Sequence, residues 1–219
     1  MNILFIGRKN QQDEFLKCKN EYLSISFTDL VSSEINFNEY DYIIHAYADE
    51  LNEFSWIENV EQPIVLCSIK KQLNKMSGRK KIAGINFLPT FIQRDVLEMS
   101  FNNPEDEEHF TPLANALSKK ILRVKDEVGM VTPAVITMII NEASFLLMEQ
   151  TASVTDIDAA MKLGTAYPFG PFEWANKIGL KNVVDVLVAM KENSGEARYE
   201  LCPLLQQMVA ERKTFLLQQ

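Results

Sequence analysis

The sequence is poor in the residues that build disulfide frameworks and metal centres. Its 219 residues include three cysteines, Cys18, Cys67 and Cys202, which are odd in number and far apart. This pattern favours free thiols in a reducing, cytoplasmic compartment. The two histidines, His45 and His109, are also far apart. Because no cysteine and histidine spacing is typical of a zinc site, we predict no metal centre.

Long hydrophobic runs and an excess of positive charge are also lacking. No apolar run reaches the roughly 18 residues of a membrane-spanning helix, and the first residues lack the basic stretch that opens a signal peptide. The net charge is −8, with 30 acidic and 22 basic residues, which disfavours contact with nucleic-acid phosphates. A fraction of 47% hydrophobic residues is typical of an ordinary globular protein. We expect neither a membrane nor a nucleic acid as partner.

The first half of the chain alternates short apolar runs with helical stretches. The apolar runs predict strands at residues 2–6, 22–27, 40–46, 64–67, 82–87, 96–99 and 121–124. The stretches between them predict helices at residues 11–19, 50–58, 70–76 and 112–119. Strands that alternate with helices indicate right-handed crossovers and a mostly parallel sheet. We therefore predict an α/β, Rossmann-like domain at residues 1–126.

The second half reads as almost wholly helical, which predicts an all-α domain at residues 127–219. Thr132 and Pro133 are a typical helix start, and Ser153 followed by Asp156 resembles a capping box. Gly164 is the expected end of the helix that Ser153 begins. Further helices are expected at residues 171–178, 182–191 and 203–213.

Two helices of this second half carry more apolar surface than a small domain can bury alone. The run 134–148 is polar at only four positions, Thr137, Asn141, Glu142 and Ser144. A Val, Leu and Met stripe follows residues 183–190. Both features predict a homodimer through the helical domain.

The most specific pattern of the chain lies in this helical half. Residues 156–164 read DIDAAMKLG and residues 167–173 read YPFGPFE, followed by PLLQQMV at 203–209. These runs resemble the C-terminal domain of the 3-hydroxyacyl-CoA dehydrogenase family. The resemblance implies a Rossmann-like domain before a helical domain, NAD as cofactor, an acyl-CoA substrate, a role in fatty acid metabolism, and dimerisation through the helical domain.

The resemblance also assigns positions to the family's catalytic groups, and several of them hold other residues here. Asn86 occupies the position of the family's base histidine, and Glu98 occupies that of the glutamate that orients it. The active-site asparagine of the family falls on Pro133. Because an amide cannot accept the substrate proton as an imidazole does, Asn86 cannot serve as the base. It could still bind Glu98 or a thioester carbonyl, or satisfy only local backbone groups.

The cofactor and substrate positions are altered in the same way. Gly7 alone remains of the three glycines in the family's dinucleotide motif, and Asp29 has the spacing of the acid that meets the ribose. Lys71 and Gln72 replace the hydroxyl pair that meets substrate and cofactor. His45 stands where the family has a glutamate. About a dozen residues connect Asp29 to the next strand, which implies a trimmed nucleotide-binding half.

Three functions remain open at this point. The first is a dehydrogenase homologue with impaired hydride transfer that still binds an acyl-CoA or another small ligand. The second is an active NAD-dependent enzyme on 3-hydroxyacyl-CoA, with Glu98 or His45 as the base. The third is a dimeric partner protein that binds no small molecule.

Overall fold

The computed structural model describes residues 1–18 and 20–216 and divides into two compact units, Met1–Met130 and Val131–Gln219. The predicted boundary at residue 126 lies shortly before this division. No described helix combines the length and the apolar character needed to span a membrane.

The first unit is built on a seven-stranded sheet. Its strands are β1 (Asn2–Ile6), β2 (Ser24–Thr28), β3 (Tyr42–His45), β4 (Ile64–Cys67), β5 (Ile82–Ile85), β6 (Val96–Phe101) and β7 (Lys120–Arg123). They are ordered β2-β1-β3-β4-β5-β6-β7, and every neighbouring pair is parallel except the antiparallel β5 and β6. This arrangement confirms the predicted α/β fold with a mostly parallel sheet.

Both faces of the sheet are covered, which explains the continuous apolar runs of the strands. One face carries a core of strand residues packed with Ile57, Leu73 and Met76. The other face packs on α1 (Lys9–Leu16), where the rings of Phe5 and Phe15 stack 4.6 Å apart. Two shorter helices, α2 (Leu73–Met76) and α3 (Thr111–Ala116), complete the helices described in this unit.

The prediction of a helix at residues 50–58 is wrong. Two 3₁₀ turns, Ala48–Glu50 and Ser55–Asn59, occupy this region. Leu51, Phe54 and Ile57 all pack against the sheet core. Their spacing of three residues matches the 3₁₀ period rather than the α-helical one, so burial overrides the helix propensity of the segment.

The connection from β2 to β3 is short, and β2 is an edge strand. Residues 29–41 contain one 3₁₀ turn, Phe37–Glu39. In the six-stranded dinucleotide-binding sheet, with strand order 3-2-1-4-5-6, a further strand lies outside the second one. Within the described residues, no strand occupies that place, as the short connection predicted.

The second unit contains five α-helices in its described part. They are α4 (Thr132–Met148), α5 (Val154–Thr165), α6 (Pro171–Ile178), α7 (Leu180–Ser194) and α8 (Pro203–Ala210). Helix α4 is central and contacts α6, α7 and α8. Its buried hydroxyls, Thr137 and Ser144, donate to carbonyls one turn earlier.

The junction between α5 and α6 explains the most specific sequence run in structural terms. The buried carboxylate of Asp158 accepts the backbone N–H groups of Phe172 (2.8 Å) and Glu173 (3.0 Å), which would otherwise be unsatisfied at the start of α6. A Cβ atom on Gly170 would lie 2.3 Å from the Asp158 carboxyl carbon. Gly170 therefore allows the carboxylate to approach the helix end.

The helix ends of this unit match the predictions in part. Ser153 caps α5, since its hydroxyl accepts the Asp156 N–H (3.2 Å), and Gly179 ends α6 with a φ of +91°. The prediction that Gly164 ends α5 is wrong, because the helix continues to Thr165 and Ala166 adopts the left-handed conformation. Thr132 lies inside α4, with Val131 as its N-cap.

We predict that Gly170→Ala lowers the free energy of unfolding by about 1–3 kcal/mol, because the added methyl displaces the Asp158 carboxylate. Gly164→Ala is the matched control. It adds the same methyl within a helix where no atom lies within 4 Å of it, so the stability should stay equal or rise by up to about 1 kcal/mol. Urea unfolding measures both variants. Equal effects of the two substitutions would contradict the role of Gly170.

Candidate functional site

The order of the strands reverses between β1 and β3, since β2 lies on one side of β1 and β3 on the other. Open parallel sheets bind ligands outside the carboxyl ends of the strands at such a switch point. Gly7 directly follows β1 at this place. A Cβ atom there would lie 2.5 Å from the Phe5 ring, so only glycine fits without movement.

Two glutamine side chains span the crevice at the switch point. The Gln11 side-chain oxygen accepts the Arg8 backbone N–H (3.0 Å), and its Nε2 donates to the Ala46 carbonyl beyond β3 (2.8 Å). Gln12 Nε2 donates to the Gly7 carbonyl (2.7 Å). Backbone N–H groups at a helix N-terminus are the groups that bind phosphate in this fold. Here the Gln11 side-chain oxygen accepts the first of these N–H groups, that of Arg8.

Charged side chains form a second layer over the crevice. The Arg8 guanidinium pairs with the Glu50 carboxylate and lies 4.8 Å from the centre of the Tyr47 ring. Lys70 Nζ is 3.0 Å from the same carboxylate. The hydrogen bonds from Arg8 and Lys70 lower the pKa of Glu50 to about 2. The carboxylate is therefore ionised at neutral pH and compensates both cations.

Asp29 follows β2 directly, and its side chain is exposed. Its carbonyl accepts the hydroxyl of Tyr47, which closes the crevice from the β3 side. The structure thus brings the two predicted cofactor positions, Gly7 and Asp29, to the ends of neighbouring strands. Sequence analysis missed Tyr47, although its place just after a buried strand could have indicated it.

A buried carboxylate, also missed from the sequence, connects the ends of β3 and β4. Asp49 accepts the backbone N–H groups of Ile69 (3.0 Å) and Lys70 (2.9 Å). Burial raises the pKa of Asp49, against the opposing effect of the Lys70 charge and of these hydrogen bonds. An acid a few residues after an apolar strand was the available signal.

The side chains at the two predicted substrate positions, Lys71 and Gln72, form hydrogen bonds with other residues of the chain. Lys71 Nζ donates to the Leu51 carbonyl (2.5 Å) and lies over the Phe54 ring. Gln72 Nε2 donates to the Asp126 carbonyl (2.9 Å). The structure places these side chains just before α2, where they join the loop after β4 to neighbouring segments.

Asn86 directly follows β5, which pairs antiparallel with β6, the strand that carries Glu98. The register pairs Ile85 with Met99, so one step further along the ladder places Asn86 opposite Glu98. The Asn86 oxygen accepts the Leu88 N–H (2.9 Å), while its Nδ2 is buried with no hydrogen-bond partner among the described residues. Glu98 is buried, and its Oε2 lies 3.6 Å from Arg94 Nη2.

Two further buried hydroxyls lie beside this pair and were missed from the sequence. A Cβ atom on Gly84 would stand 2.1 Å from Ser68 Oγ and 2.4 Å from Ser100 Oγ. Because side chains alternate along a strand, Gly84 and Asn86 share one face of the sheet, as do Ser100 and Glu98. The ends of β4, β5 and β6 therefore carry a buried polar row. In the described residues, no group of three side chains is arranged to hold a metal ion.

His45 and Pro133 are placed by the apolar packing around them. His45 ends β3 and is buried between the rings of Tyr47 (4.6 Å) and Trp56 (6.0 Å). Burial lowers the pKa of His45 to about 4, so the imidazole is neutral at pH 7. Pro133 lies in the first turn of α4 and is buried in the helical unit.

A doubly covered, mostly parallel sheet with a switch point, followed by a helical unit, is the architecture of two-domain proteins with a Rossmann-like domain. The sequence agrees, because residues 129–215 match the family described as 3-hydroxyacyl-CoA dehydrogenase, C-terminal domain. This match confirms, for the helical half of the chain, the resemblance drawn from its motifs.

Two curated relatives are similar to parts of the chain. The chain is 40% identical over 89 residues to 3-hydroxyadipyl-CoA dehydrogenase of Escherichia coli K12, covering 41% of this chain and 19% of that protein. It is 30% identical over 129 residues to 3-hydroxybutyryl-CoA dehydrogenase of Bradyrhizobium diazoefficiens, covering 58% and 44%. The chain thus spans less than half the length of these two relatives.

The fold itself is similar to that of (S)-3-hydroxybutyryl-CoA dehydrogenase PaaH1 from Ralstonia eutropha. The TM-score is 0.73 at 18% identity, with 96% of this chain and 94% of that chain covered. At this level of identity the likeness concerns the fold alone.

The buried imidazole of His45 makes the stability dependent on pH. Its folded pKa of about 4 lies below the ordinary value of 6.5. The share of the free energy of unfolding that depends on the neutral imidazole is therefore fully present above pH 6.5. About 3 kcal/mol of it is lost as the pH falls toward 4. We predict that His45→Leu removes this part of the acid destabilisation, as measured by urea unfolding between pH 7 and pH 4.

His109→Leu is the matched control for this measurement, because it removes the other histidine of the chain. If His45→Leu loses stability with acid as steeply as the unaltered chain, His45 is not the group responsible.

Proposed function

We propose that this protein is a 3-hydroxyacyl-CoA dehydrogenase homologue that binds an acyl-CoA or a related small thioester without oxidising it through NAD. The observation that carries this proposal is the Gln11 bridge between the start of α1 and the end of β3. It occupies the place where the fold positions the pyrophosphate of a dinucleotide.

The residues at the switch point do not fit a dinucleotide. A pyrophosphate would have to displace the Gln11 amide from the Arg8 N–H, at a cost of about 1 kcal/mol for each hydrogen bond lost. Lys9 and Gln12 stand where the motif has glycines that let the backbone approach the phosphates. Because Gln12 is bonded to Gly7, its side chain fills the space between helix and strand that the last glycine leaves clear.

The altered catalytic position supports the same proposal. The family's reaction needs a base that accepts the proton of the 3-hydroxyl group, and an amide does not do this at neutral pH. With Asn86 at this position, the site has no imidazole to act as the base. The neighbouring Glu98 contacts Arg94. Burial keeps His45 in an apolar environment, where its lowered pKa makes it a poor proton acceptor.

Ligand binding is supported by the buried donors that remain. Asn86 Nδ2 and the Ser68 and Ser100 hydroxyls have no hydrogen-bond partner among the described residues. Such groups favour a carbonyl or hydroxyl acceptor, because an unsatisfied buried donor costs about 1–3 kcal/mol. A thioester carbonyl has this chemistry, and the two curated relatives act on CoA thioesters by name.

Each alternative has one observation in its favour. The cross-strand placement of Asn86 and Glu98 preserves the family's pairing and favours an active enzyme with a substituted base. The half-exposed apolar side chains of α4, among them Val135 and Met148, favour a dimeric partner protein. A cytoplasmic location remains a prediction from the three cysteines, all of which are free thiols.

A ligand titration separates the three functions. We expect acetoacetyl-CoA to raise the melting temperature of the chain, NAD and NADH to leave it unchanged, and 3-hydroxybutyryl-CoA with NAD to give no NADH absorbance. Steady NADH formation would contradict the proposal in favour of the active enzyme. No shift with any ligand would contradict it in favour of the partner protein.

We predict that Asn86→Ala weakens acetoacetyl-CoA binding about 10-fold, which corresponds to the loss of one buried hydrogen bond. Asn74→Ala is the matched control, because Asn74 is an exposed asparagine on α2 of the same unit. This variant should bind acetoacetyl-CoA as tightly as the unaltered chain. Isothermal calorimetry measures both variants. Equal affinities for the two variants would remove Asn86 from the binding site.

A homodimer through α4 belongs to this proposal. Val135 is 49% exposed on α4, so Val135→Asp should place a charge inside the interface and shift the mass measured by light scattering from dimer to monomer. Leu163→Asp is the control, since Leu163 is exposed on α5 outside the predicted interface. A Val135→Asp chain that keeps the dimer mass would contradict this interface.

A further inference from the structure

Strand β2 presents an open edge of the sheet. Two backbone hydrogen bonds define its orientation: the Ser24 N–H donates to the Met1 carbonyl (2.9 Å), and the Thr28 carbonyl accepts the Gly7 N–H (2.9 Å). Because backbone groups alternate in direction along a strand, Ser24, Ser26 and Thr28 bond to β1. The N–H and C=O groups of Ile25 and Phe27 therefore point away from the sheet.

No feature of β2 protects this edge. Natural edge strands usually carry charges, proline or a bulge that prevents further pairing. The strand reads SISFT and contains none of these residues. The opposite edge differs, because β7 and its flanks carry four cations, Lys119, Lys120, Arg123 and Lys125. Self-pairing at β7 would bring like charges together. The five residues of β2 carry no charge, and its flanks hold the acids Glu21 and Asp29.

The strand is also complementary to itself when it is paired antiparallel about Ser26. Ile25 then lies opposite Phe27 of the other copy, and aliphatic and aromatic side chains are a favourable cross-strand pair. The outward groups of Ile25 and Phe27 face each other, as a hydrogen-bonded pair of an antiparallel ladder requires. Tyr22 (71% exposed) and Leu30 (65% exposed) lie just outside the two ends of the strand, so exposed apolar side chains flank it on both sides.

We propose that β2 pairs with β2 of a second copy of this chain, antiparallel and centred on Ser26, so that the two sheets become continuous. This contact is distinct from the proposed interface on α4. A five-residue strand buries less than the roughly 1,200 Å² of a stable interface, so the contact alone is weak and strengthens only in combination with another one.

The register makes the contact testable by disulfide trapping in the full chain. In the proposed pairing the two Ser26 residues form a non-hydrogen-bonded pair with Cα atoms about 4.5 Å apart, which is within disulfide range. We expect Ser26→Cys to form a covalent dimer under mild oxidation, seen on a non-reducing gel. The unaltered chain, with its three native cysteines, sets the background.

Ser24→Cys is the matched control, because Ser24 is exposed on the same face of the same strand. It lies opposite Thr28, so its two copies stand about 13 Å apart, too far for a disulfide. Equal cross-linking of both variants, cross-linking of Ser24→Cys alone, or none above background would each overturn the proposal.

A charge at the centre of the contact provides a second measurement. Ser26→Lys places two lysines opposite each other and should lower the average mass in concentration-dependent light scattering. Ser33→Lys adds the same charge at an exposed loop position and should leave the mass unchanged. An unchanged mass for Ser26→Lys would equally overturn the proposal.

Discussion

The parallel pairing of β1, β3, β4 and β5 brings their carboxyl ends to one edge of the sheet. Some of the side chains that follow these strands therefore hydrogen-bond to the end of a neighbouring strand. Gln11 connects the start of α1 to the end of β3, and Asp49 connects the ends of β3 and β4. The same topology that creates a ligand crevice in this fold therefore supplies the groups that span it.

Charge compensation follows the same geometry. Arg8 and Lys70 come from the ends of different strands, yet both reach Glu50. In a dehydrogenase of this fold, cations and backbone N–H groups at this edge would meet a negatively charged ligand. Here both cations pair with a carboxylate of the chain, and the buried donors lie further along the sheet, around Asn86 and Ser68.

Sequence reasoning reached the strands and the family well because both depend on local patterns. The run 64–67 is a strand to the residue, and the run 156–173 identifies the helical domain. It failed at residues 50–58, where burial against the sheet changed the backbone, and at Gly164, which has no cap role. The carboxylate of Asp158 at the start of α6 could not be foreseen, because its partners lie 14 and 15 residues away.

The amino-acid sequence by itself determined the α/β order of the first half, the helical second half and the family resemblance of that second half. Only the tertiary structure decided that the glutamines after Gly7 reach across the switch point, that Asn86 faces Glu98, and that β2 is an open edge. The physical reason is that each of these depends on strand order and register, which bring together residues far apart in sequence, whereas helix and strand formation follows mainly from hydrophobic periodicity.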